Sequence, residues 1–269
     1  MRTVTNALEV IENLISPNDR ILFNLFYLIA ESPASYWVTD DKSYLVGQTN
    51  EHLPMWVWIN DSFNENSKTE LASIIWKRLA LNPRLKLTAD ASKISTLLEQ
   101  IAADKEASFK STVPMNIYCC QNITNSKTAP GHVIKSNIDH KNVLQKFITG
   151  MVNDLEHRPM KEGEAKSFAD AVTCSDDLFL WEDGGTVVSM AMIAHETNKY
   201  ARINTVYTDS CQRGKGYAGM LVGKVTEKIL AEGKIPMLYT EQDNLCSNAV
   251  YKRIGYQLCG KLTQFCFLE

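Results

Sequence analysis

Apolar side chains recur at helical spacing over residues 3–32 and then give way to short runs typical of strands. We predict helices over residues 3–15 and 19–32, with a break at Ser16-Pro17-Asn18. Three runs rich in aromatic and β-branched residues then predict an antiparallel meander at 36–38, 43–46 and 55–59. The remaining pattern predicts a helix at about 66–80, a strand near 85–87, a helix at about 91–105 and a strand over 113–120.

The second half of the chain repeats this order of elements. Its pattern predicts a strand at 132–136, helices at about 140–156 and 162–173, strands at 178–181, 186–194 and 201–208, a helix at 215–231, a strand at 237–240, a helix at 245–254 and strands near 256–260 and 263–268. The polar stretch 121–131 between the halves is a candidate domain boundary or a long hairpin loop. We therefore expect an α/β protein with domains at 1–128 and 129–269, related by duplication or alike by chance.

Composition and charge exclude several classes of protein. The 269 residues are 45% hydrophobic and carry a net charge of −3, which excludes a disordered chain and gives no broad attraction for nucleic acid. Seven cysteines and five histidines are scattered without metal-ligand spacing, so we expect reduced thiols and no metal centre. No apolar run is long enough to span a membrane, which favours a soluble, cytoplasmic protein with a small molecule or a protein as its partner.

A glycine-containing turn follows the predicted strand 201–208 and opens the next helix. Gly214 and Gly216 lack side chains, and the helix N-terminus offers free N–H groups and a positive dipole end, so the turn suits a phosphate group. Arg213 and Lys215 add positive charge, although a simple turn with incidental basic residues is the alternative. The equivalent segment of the first half, 63–70, has two acidic residues and no glycine, so we expect no phosphate there.

The same glycines fit two nucleotide-binding patterns. Gly214, Gly216 and Gly219 satisfy GxGxxG, and Glu241 could then bind a ribose in a dinucleotide-binding fold. However, residues 209–213 intervene between strand and first glycine, and the chain that follows is too short for the usual parallel sheet. An NAD-dependent enzyme is therefore the weaker alternative.

The second pattern is [Arg/Gln]-x-x-Gly-x-[Gly/Ala], which Arg213-Gly-Lys-Gly216-Tyr-Ala218 satisfies. A second motif lies further on, where residues 244–256 match Asn-x-x-[Ser/Ala]-x-x-x-Tyr-x-x-x-Gly-[Phe/Tyr]. With both motifs in this order, residues 130–269 resemble the GNAT superfamily of acetyl-CoA-dependent N-acetyltransferases. The resemblance implies the GNAT fold, a mixed and mostly antiparallel central sheet flanked by helices, with the first half as a degenerate second copy.

The resemblance also implies an activity and its residues. Acetyl-CoA would donate its acetyl group directly to a primary amine of a small molecule or peptide, without a metal. Tyr251 would protonate the departing thiolate, with Glu241 as the first candidate base and Glu182 as the second. The residues expected to bind the cofactor are Val206, Tyr207, Thr208, Gln212, Arg213, Gly214, Lys215, Gly216, Tyr217, Ala218, Gly219, Asn244, Ser247 and Asn248.

The remaining expectations concern partners and the first half. Acidic residues at 154, 156, 162 and 164 could attract a cationic amine or simply form a solvated helix face. The resemblance is compatible with a homodimer. A non-catalytic module that senses acyl-CoA or binds a protein is the alternative to an enzyme. In the first half we expect the aromatic residues to form core and domain packing rather than a ligand cage: Tyr36, Trp37, Trp56 and Trp58.

Overall fold

The computed structural model describes residues 2–104, 107–124, 128–156, 160 and 163–268. Its helices within these residues are α1 (Ala7–Leu14), α2 (Pro17–Leu22), α3 (Leu25–Ala30), α4 (Glu65–Leu81), α5 (Ala91–Asp104), α6 (Lys141–Glu156), α7 (Glu164–Val172), α8 (Tyr217–Ala231) and α9 (Leu245–Ile254). The strands are β1 (Arg2–Thr3), β2 (Tyr36–Thr39), β3 (Tyr44–Gln48), β4 (Met55–Ile59), β5 (Lys86–Ala89), β6 (Ser108–Cys119), β7 (His132–Lys135), β8 (Leu178–Asp183), β9 (Thr186–Glu196), β10 (Tyr200–Thr208), β11 (Ile235–Glu241) and β12 (Gln257–Leu268).

The described residues fall into two compact units. Unit 1 contains those of 1–117, 240–243 and 258–269, and unit 2 contains those of 118–239 and 244–257. Almost all of the C-terminal strand β12 therefore belongs to unit 1, although it ends the second half of the sequence. The division into domains 1–128 and 129–269 remains a prediction from the sequence.

Unit 1 is built on a sheet whose strands follow the order β1-β2-β3-β4-β5-β12-β6. The first four strands pair antiparallel, whereas β4 and β5 are parallel and are connected by α4. Its main core includes Leu71 and Ile75 of α4 and Leu97 and Leu98 of α5. Three of the four aromatic residues singled out from the sequence are buried in this unit: Trp37, Trp56 and Trp58.

Unit 2 repeats this plan with the strand order β11-β10-β9-β8-β7. The strands from β7 to β10 pair antiparallel, and β10 and β11 are parallel and connected by α8. One core cluster includes Leu221 and Val225 of α8, and a second includes Leu144 and Phe147 of α6. The mostly antiparallel order differs from the parallel sheet of a dinucleotide-binding fold, so unit 2 lacks the fold on which the NAD-dependent alternative was based.

Three details of the predicted elements are wrong. Residues 19–32 form two helices with a break at Phe23 and Asn24, because Phe23 packs against Trp56 in the folded core while the apolar spacing continues through the break. Residues 2–3 form β1 rather than the start of a helix. The two predicted strands at 256–260 and 263–268 are one strand, in which a Cβ at Gly260 would lie 2.6 Å from a Leu22 methyl carbon.

Two glycines give a test of backbone constraint in unit 2. Gly255 ends α9 at φ +118°, and a Cβ there would lie 2.4 Å from the carbonyl oxygen of Asn122. We expect Gly255→Ala to lower the free energy of unfolding by about 1–3 kcal/mol, because the change adds both backbone strain and overlap with another backbone segment. Gly223, inside α8 with open space at its Cβ position, is the matched control. Gly223→Ala should leave stability unchanged or raise it by up to ~1 kcal/mol. Chemical denaturation of both variants measures the difference, and equal stabilities would contradict the role given to Gly255.

Candidate active site

The parallel strands β10 and β11 separate after a short paired segment. They pair at Tyr200 with Ile235, at Ala201 with Pro236 and at Arg202 with Met237. Both strands continue beyond Arg202 and Met237, but no further pair joins them within the described residues. The result is a wedge in unit 2 in which the backbone of β10 is free to bond to a ligand.

The backbone of β10 is distorted at the same place. Its register with β9 shifts between Asn204 and Tyr207, where Thr205 and Val206 lie opposite the single residue Ala191, so that one extra residue forms a bulge in β10. Thr205 within the bulge has φ +53°, a conformation that a β-branched residue rarely adopts. Strained backbone of this kind is often retained at functional sites, where it aims backbone groups that a regular strand would direct elsewhere. Here the bulge reorients the peptide groups around Val206.

The loop after β10 forms an open cradle of backbone groups. Gly214 and Gly216 have φ +80° and φ +91°, which only glycine adopts without strain. A Cβ at Gly214 would meet nothing within 4 Å, and one at Gly216 would meet only the Ala129 side chain at 3.8 Å. Gly216 is also the N-cap of α8, so no side chain caps the first N–H groups of this helix. These features fit the predicted anion site.

The equivalent helix of unit 1 lacks this property. The side chain of Asn64 accepts a hydrogen bond from the Ser67 N–H at 3.1 Å and caps α4. Glu65 adds a negative charge in the first turn. The cap occupies one of the N–H donors at this helix end, and the acidic side chain repels an anion.

Arg213 is engaged by neighbouring protein groups rather than being directed into the cradle. Its Nε donates to the Thr208 carbonyl oxygen at 3.1 Å, and its guanidinium forms an ion pair with Asp154 of α6. The guanidinium also lies over the Tyr207 ring, 5.2 Å from its centroid. Arg213 therefore fixes the loop against β10 and α6. Because Asp154 already forms this ion pair, it does not offer an unpaired negative charge to a cationic acceptor.

A second ion pair connects the loop to α6. The Lys146 Nζ lies 2.5 Å from the Asp209 carboxylate, and this hydrogen bond is the main reason that the pKa of Asp209 is lowered. The same carboxylate accepts from the Cys211 N–H at 3.1 Å. Lys215, the other basic residue of the loop, donates to Gln212 at 2.6 Å. The charged side chains thus order the loop, and the uncapped backbone N–H groups remain for a ligand.

Two further residues of unit 2 shape the cradle without any signal in the sequence pattern. Ala129 borders Gly216, and the adjacent Pro130 carbonyl oxygen accepts a hydrogen bond from the Trp181 indole at 2.8 Å. Gly150 of α6 packs directly on the hydroxyl of Tyr207, where a Cβ would lie 2.2 Å from that oxygen. Both contacts join distant parts of the chain, so spacing along the sequence could not reveal them.

Helix α9 presents the second predicted motif next to α8. The Asn244 side chain accepts from the Ser247 N–H at 3.0 Å and is the N-cap of the helix. Asn248 is buried, where it donates to the Asn244 carbonyl oxygen at 2.7 Å and accepts from the Tyr118 hydroxyl at 2.9 Å. These contacts give both asparagines a role in fixing the start of α9. A role in binding the cofactor stays a prediction.

Tyr251 lies one turn further along α9 and is buried against Tyr256, with ring centroids 6.1 Å apart. Burial raises the pKa of Tyr251 to about 12, and a hydrogen bond with the Ser247 side chain opposes this shift. Tyr217, at the start of α8, belongs to the same core cluster. Tyr251 therefore keeps its proton at neutral pH, as a proton donor must.

The acidic candidates are spread over several positions. Glu241 ends β11 and is half-buried, in a segment that belongs to unit 1. Glu182 lies on β8 in unit 2, with a carboxylate oxygen 3.9 Å from His132 Nε2. Glu164 begins α7, whereas Glu162 and the side chain of Glu156 lie outside the described residues.

The part of the chain that the structure describes was compared with the requirements of a metal centre and of a membrane-spanning helix. No group of three or more His, Cys, Asp or Glu side chains there is arranged to hold a metal ion. None of the helices there combines the length and the apolar character needed to cross a membrane.

The comparisons with known proteins agree with this architecture. Residues 185–266 match a family model described as FR47-like protein. An acetyltransferase of the GNAT family from Colwellia psychrerythraea is similar over 99% of this chain and 99% of its own, with a TM-score of 0.59 and 14% identity. A GCN5-related N-acetyltransferase from Kribbella flavida is similar over 94% of this chain and 96% of its own, with a TM-score of 0.61 and 12% identity. A Drosophila protein covers 100% of this chain and 98% of its own, with a TM-score of 0.64 and 11% identity. The search of curated proteins finds no match.

These likenesses confirm the predicted fold class. The chain has the GNAT fold, with a mixed and mostly antiparallel sheet flanked by helices, and the structural likeness extends over both halves.

The cradle can be tested with a charged substitution. We expect acetyl-CoA to raise the Tm of the unaltered protein and Gly216→Glu to abolish that increase, because a carboxylate would occupy the space predicted for the pyrophosphate and repel it. Gly233→Glu is the matched control, since Gly233 also has positive φ and open space but lies just beyond the C-terminal end of α8. This control should keep the shift. Equal shifts in both variants and the unaltered protein would show that the pyrophosphate binds elsewhere.

Proposed function

We propose that this chain transfers the acetyl group of acetyl-CoA to a primary amine by direct attack in a ternary complex. The observation that carries the proposal is the joint occurrence, within unit 2, of the wedge between β10 and β11, the open cradle at Gly214 and Gly216, and the buried Tyr251. The GNAT fold of the chain supports an acetyltransferase in general terms.

The cofactor position follows from where free backbone groups lie. The pyrophosphate would accept hydrogen bonds from N–H groups of residues 212–219, helped by the positive end of α8. The pantetheine arm would continue along β10 and pair its amides with the free edge at Val206 and Thr208, as an added strand would. This arrangement directs the thioester into the narrow part of the wedge, away from the loop.

The chemical step forms a C–N bond and breaks a C–S bond. A neutral amine attacks the thioester carbonyl, and a backbone N–H near Val206 stabilises the oxyanion that develops. Tyr251 donates its proton to the departing CoA thiolate and recovers one from solvent or from the proton that the amine loses. A base accepts the proton of the amine, directly or through water, and Glu241 and Glu182 stay the candidates that the sequence predicts for it.

A sensor that binds acyl-CoA without chemistry is the second candidate function. Such a sensor requires the cradle for binding, but it does not require a proton donor. The presence of Tyr251 at the position expected for the proton donor favours the enzyme. Binding of acetyl-CoA without release of free thiol in the presence of any amine would favour the sensor.

The role of Tyr251 predicts a specific kinetic defect. Tyr251→Phe should lower kcat by about 10²–10⁴-fold, the usual contribution of a positioned general acid, and leave acetyl-CoA affinity unchanged. Tyr256→Phe is the matched control, because Tyr256 is an equally buried neighbour whose hydroxyl bonds only to Thr226 among the described contacts. The control should keep its kcat. Equal losses in the two variants would contradict the proton-donor role.

The pKa of Tyr251 also predicts the shape of the pH profile. A group with a pKa of about 12 is protonated at all lower pH values, so the proton donor is present throughout the usual assay range. We therefore expect kcat to rise with pH as the amine or its base loses a proton, and then to stay level. A descending limb near neutral pH that disappears in Tyr251→Phe would show that Tyr251 loses its proton there, contrary to this assignment.

A further inference from the structure

Arg202 is an arginine at the closed end of the wedge with no acidic partner. It forms the last pair between β10 and β11, opposite Met237. Its Nε is shielded from solvent and has no hydrogen-bond partner, and no ion pair in the described part of the chain includes its guanidinium. Desolvation lowers its pKa, with the Tyr239 hydroxyl as the only opposing group.

Arg202 lies on the face of β10 that is turned away from α8. Its neighbours Ala201 and Ile203 belong to the core cluster that α8 covers, and side chains alternate along a strand. Arg202 therefore lies on the opposite face of the sheet, with Asn204 two residues further on the same face. Asn204 pairs with Met192, which packs on the cluster formed by α6 and α7.

A guanidinium nitrogen that is shielded from water, as the Nε of Arg202 is, needs a hydrogen-bond partner. An unpaired buried charge or donor is costly, and its pairing with a planar carboxylate through two parallel hydrogen bonds is among the strongest such contacts. Burial does not deprotonate an arginine, so this cation remains charged. A bound anion is the simplest way to satisfy it.

The distance between Arg202 and the cradle indicates which anion could bind at Arg202. From Arg202 to Thr208 the strand spans about 20 Å at ~3.3 Å per residue, so the cradle for the pyrophosphate lies far from Arg202. At the closed end of the wedge the nearest part of acetyl-CoA would be the uncharged thioester. An anion at Arg202 therefore belongs to the acceptor and not to the cofactor.

We propose that Arg202 binds a carboxylate of the acceptor, so that the acceptor is a primary amine carrying a carboxylate on the same molecule. This inference rests on the proposed acetyl transfer and names its substrate class. The carboxylate would hold the amine beside the thioester at the bulge of β10, which restricts the orientations open to the acceptor before attack.

The test compares each amino acid in a panel with its amide, in which a neutral group of similar size replaces the carboxylate. The unaltered protein should acetylate at least one amino acid with a kcat/KM about 10- to 100-fold above that of its amide, as expected for a charge-assisted hydrogen-bonded pair. Arg202→Met should remove this preference through a higher KM and leave the affinity for acetyl-CoA unchanged. Arg202→Lys should restore part of it. Arg253→Met, which removes an exposed arginine of α9, is the matched control and should keep the preference.

Stability gives a second, independent readout. Because Arg202 has no acidic partner in the chain, Arg202→Met should leave the Tm unchanged or raise it when no ligand is present. Amino acids that are substrates should raise the Tm of the unaltered protein and not that of Arg202→Met. A strong loss of stability in Arg202→Met would instead show that Arg202 is paired within the protein, and would overturn the inference.

The outcomes separate this inference from the proposed function. Equal use of amino acids and amides would overturn the carboxylate site and leave acetyl transfer intact. No binding of acetyl-CoA and no acetylation of any amine would overturn the proposed function, whereas carboxylate binding that depends on Arg202 would still support the site. If no carboxylate raises the Tm or is acetylated, the inference is wrong.

Discussion

The structure of unit 2 depends on one departure from regular pairing, the separation of β10 and β11 after Arg202 and Met237. Parallel strands in the interior of a sheet normally satisfy each other's backbone groups, so their separation leaves donors and acceptors that need another partner. The α8 core on one face and the contact of Phe147 with Tyr207 on the other hold β10 in place without that pairing. Strain at Thr205 accompanies the same departure. A ligand that supplies strand-like amides is the partner that this backbone lacks.

The two units share one arrangement of strands, and a few local differences decide whether a unit has the features of a binding site. Each places four antiparallel strands before a parallel pair joined by a helix. In unit 1, β5 ends at Ala89, the last residue paired with β4, and β4 extends beyond its last pair by Trp58 and Ile59 alone. In unit 2, β10 continues past Arg202 to Thr208, and β11 continues past Met237 through Leu238 and Tyr239. Together with the Asn64 cap and Glu65 on α4, this leaves unit 1 without the features from which we infer cofactor binding.

The sequence predicted those parts of the structure that depend on local chemistry. Glycines with positive φ, a helix N-terminus and an Asn cap are properties of a few neighbouring residues, so the loop and α9 were placed correctly. The break at Phe23 was missed because it depends on Trp56 in a distant strand. The single strand β12 was missed because Gly260 looks like a turn residue until Leu22 is seen packed against it. The contact of Arg213 with α6 was not predicted either, because that helix is distant from Arg213 in the sequence.

The charges around the cradle bear on the proposed binding of a polyanion by a protein with a net charge of −3. Arg213 is paired with Asp154 and Lys146 with Asp209, so these four charges cancel, whereas Lys215 donates to the neutral Gln212 and keeps its positive charge. The field of aligned peptide dipoles at the start of α8 adds to this charge, is fixed by the fold and decays within a turn of the helix. Such a field favours an anion only where the anion contacts the backbone. It therefore selects a ligand by the shape and position of its anionic group and not by charge alone. The carboxylate site that we propose at Arg202 differs in kind, because there one side-chain cation would select a ligand by its charge, at a position where the backbone is still paired.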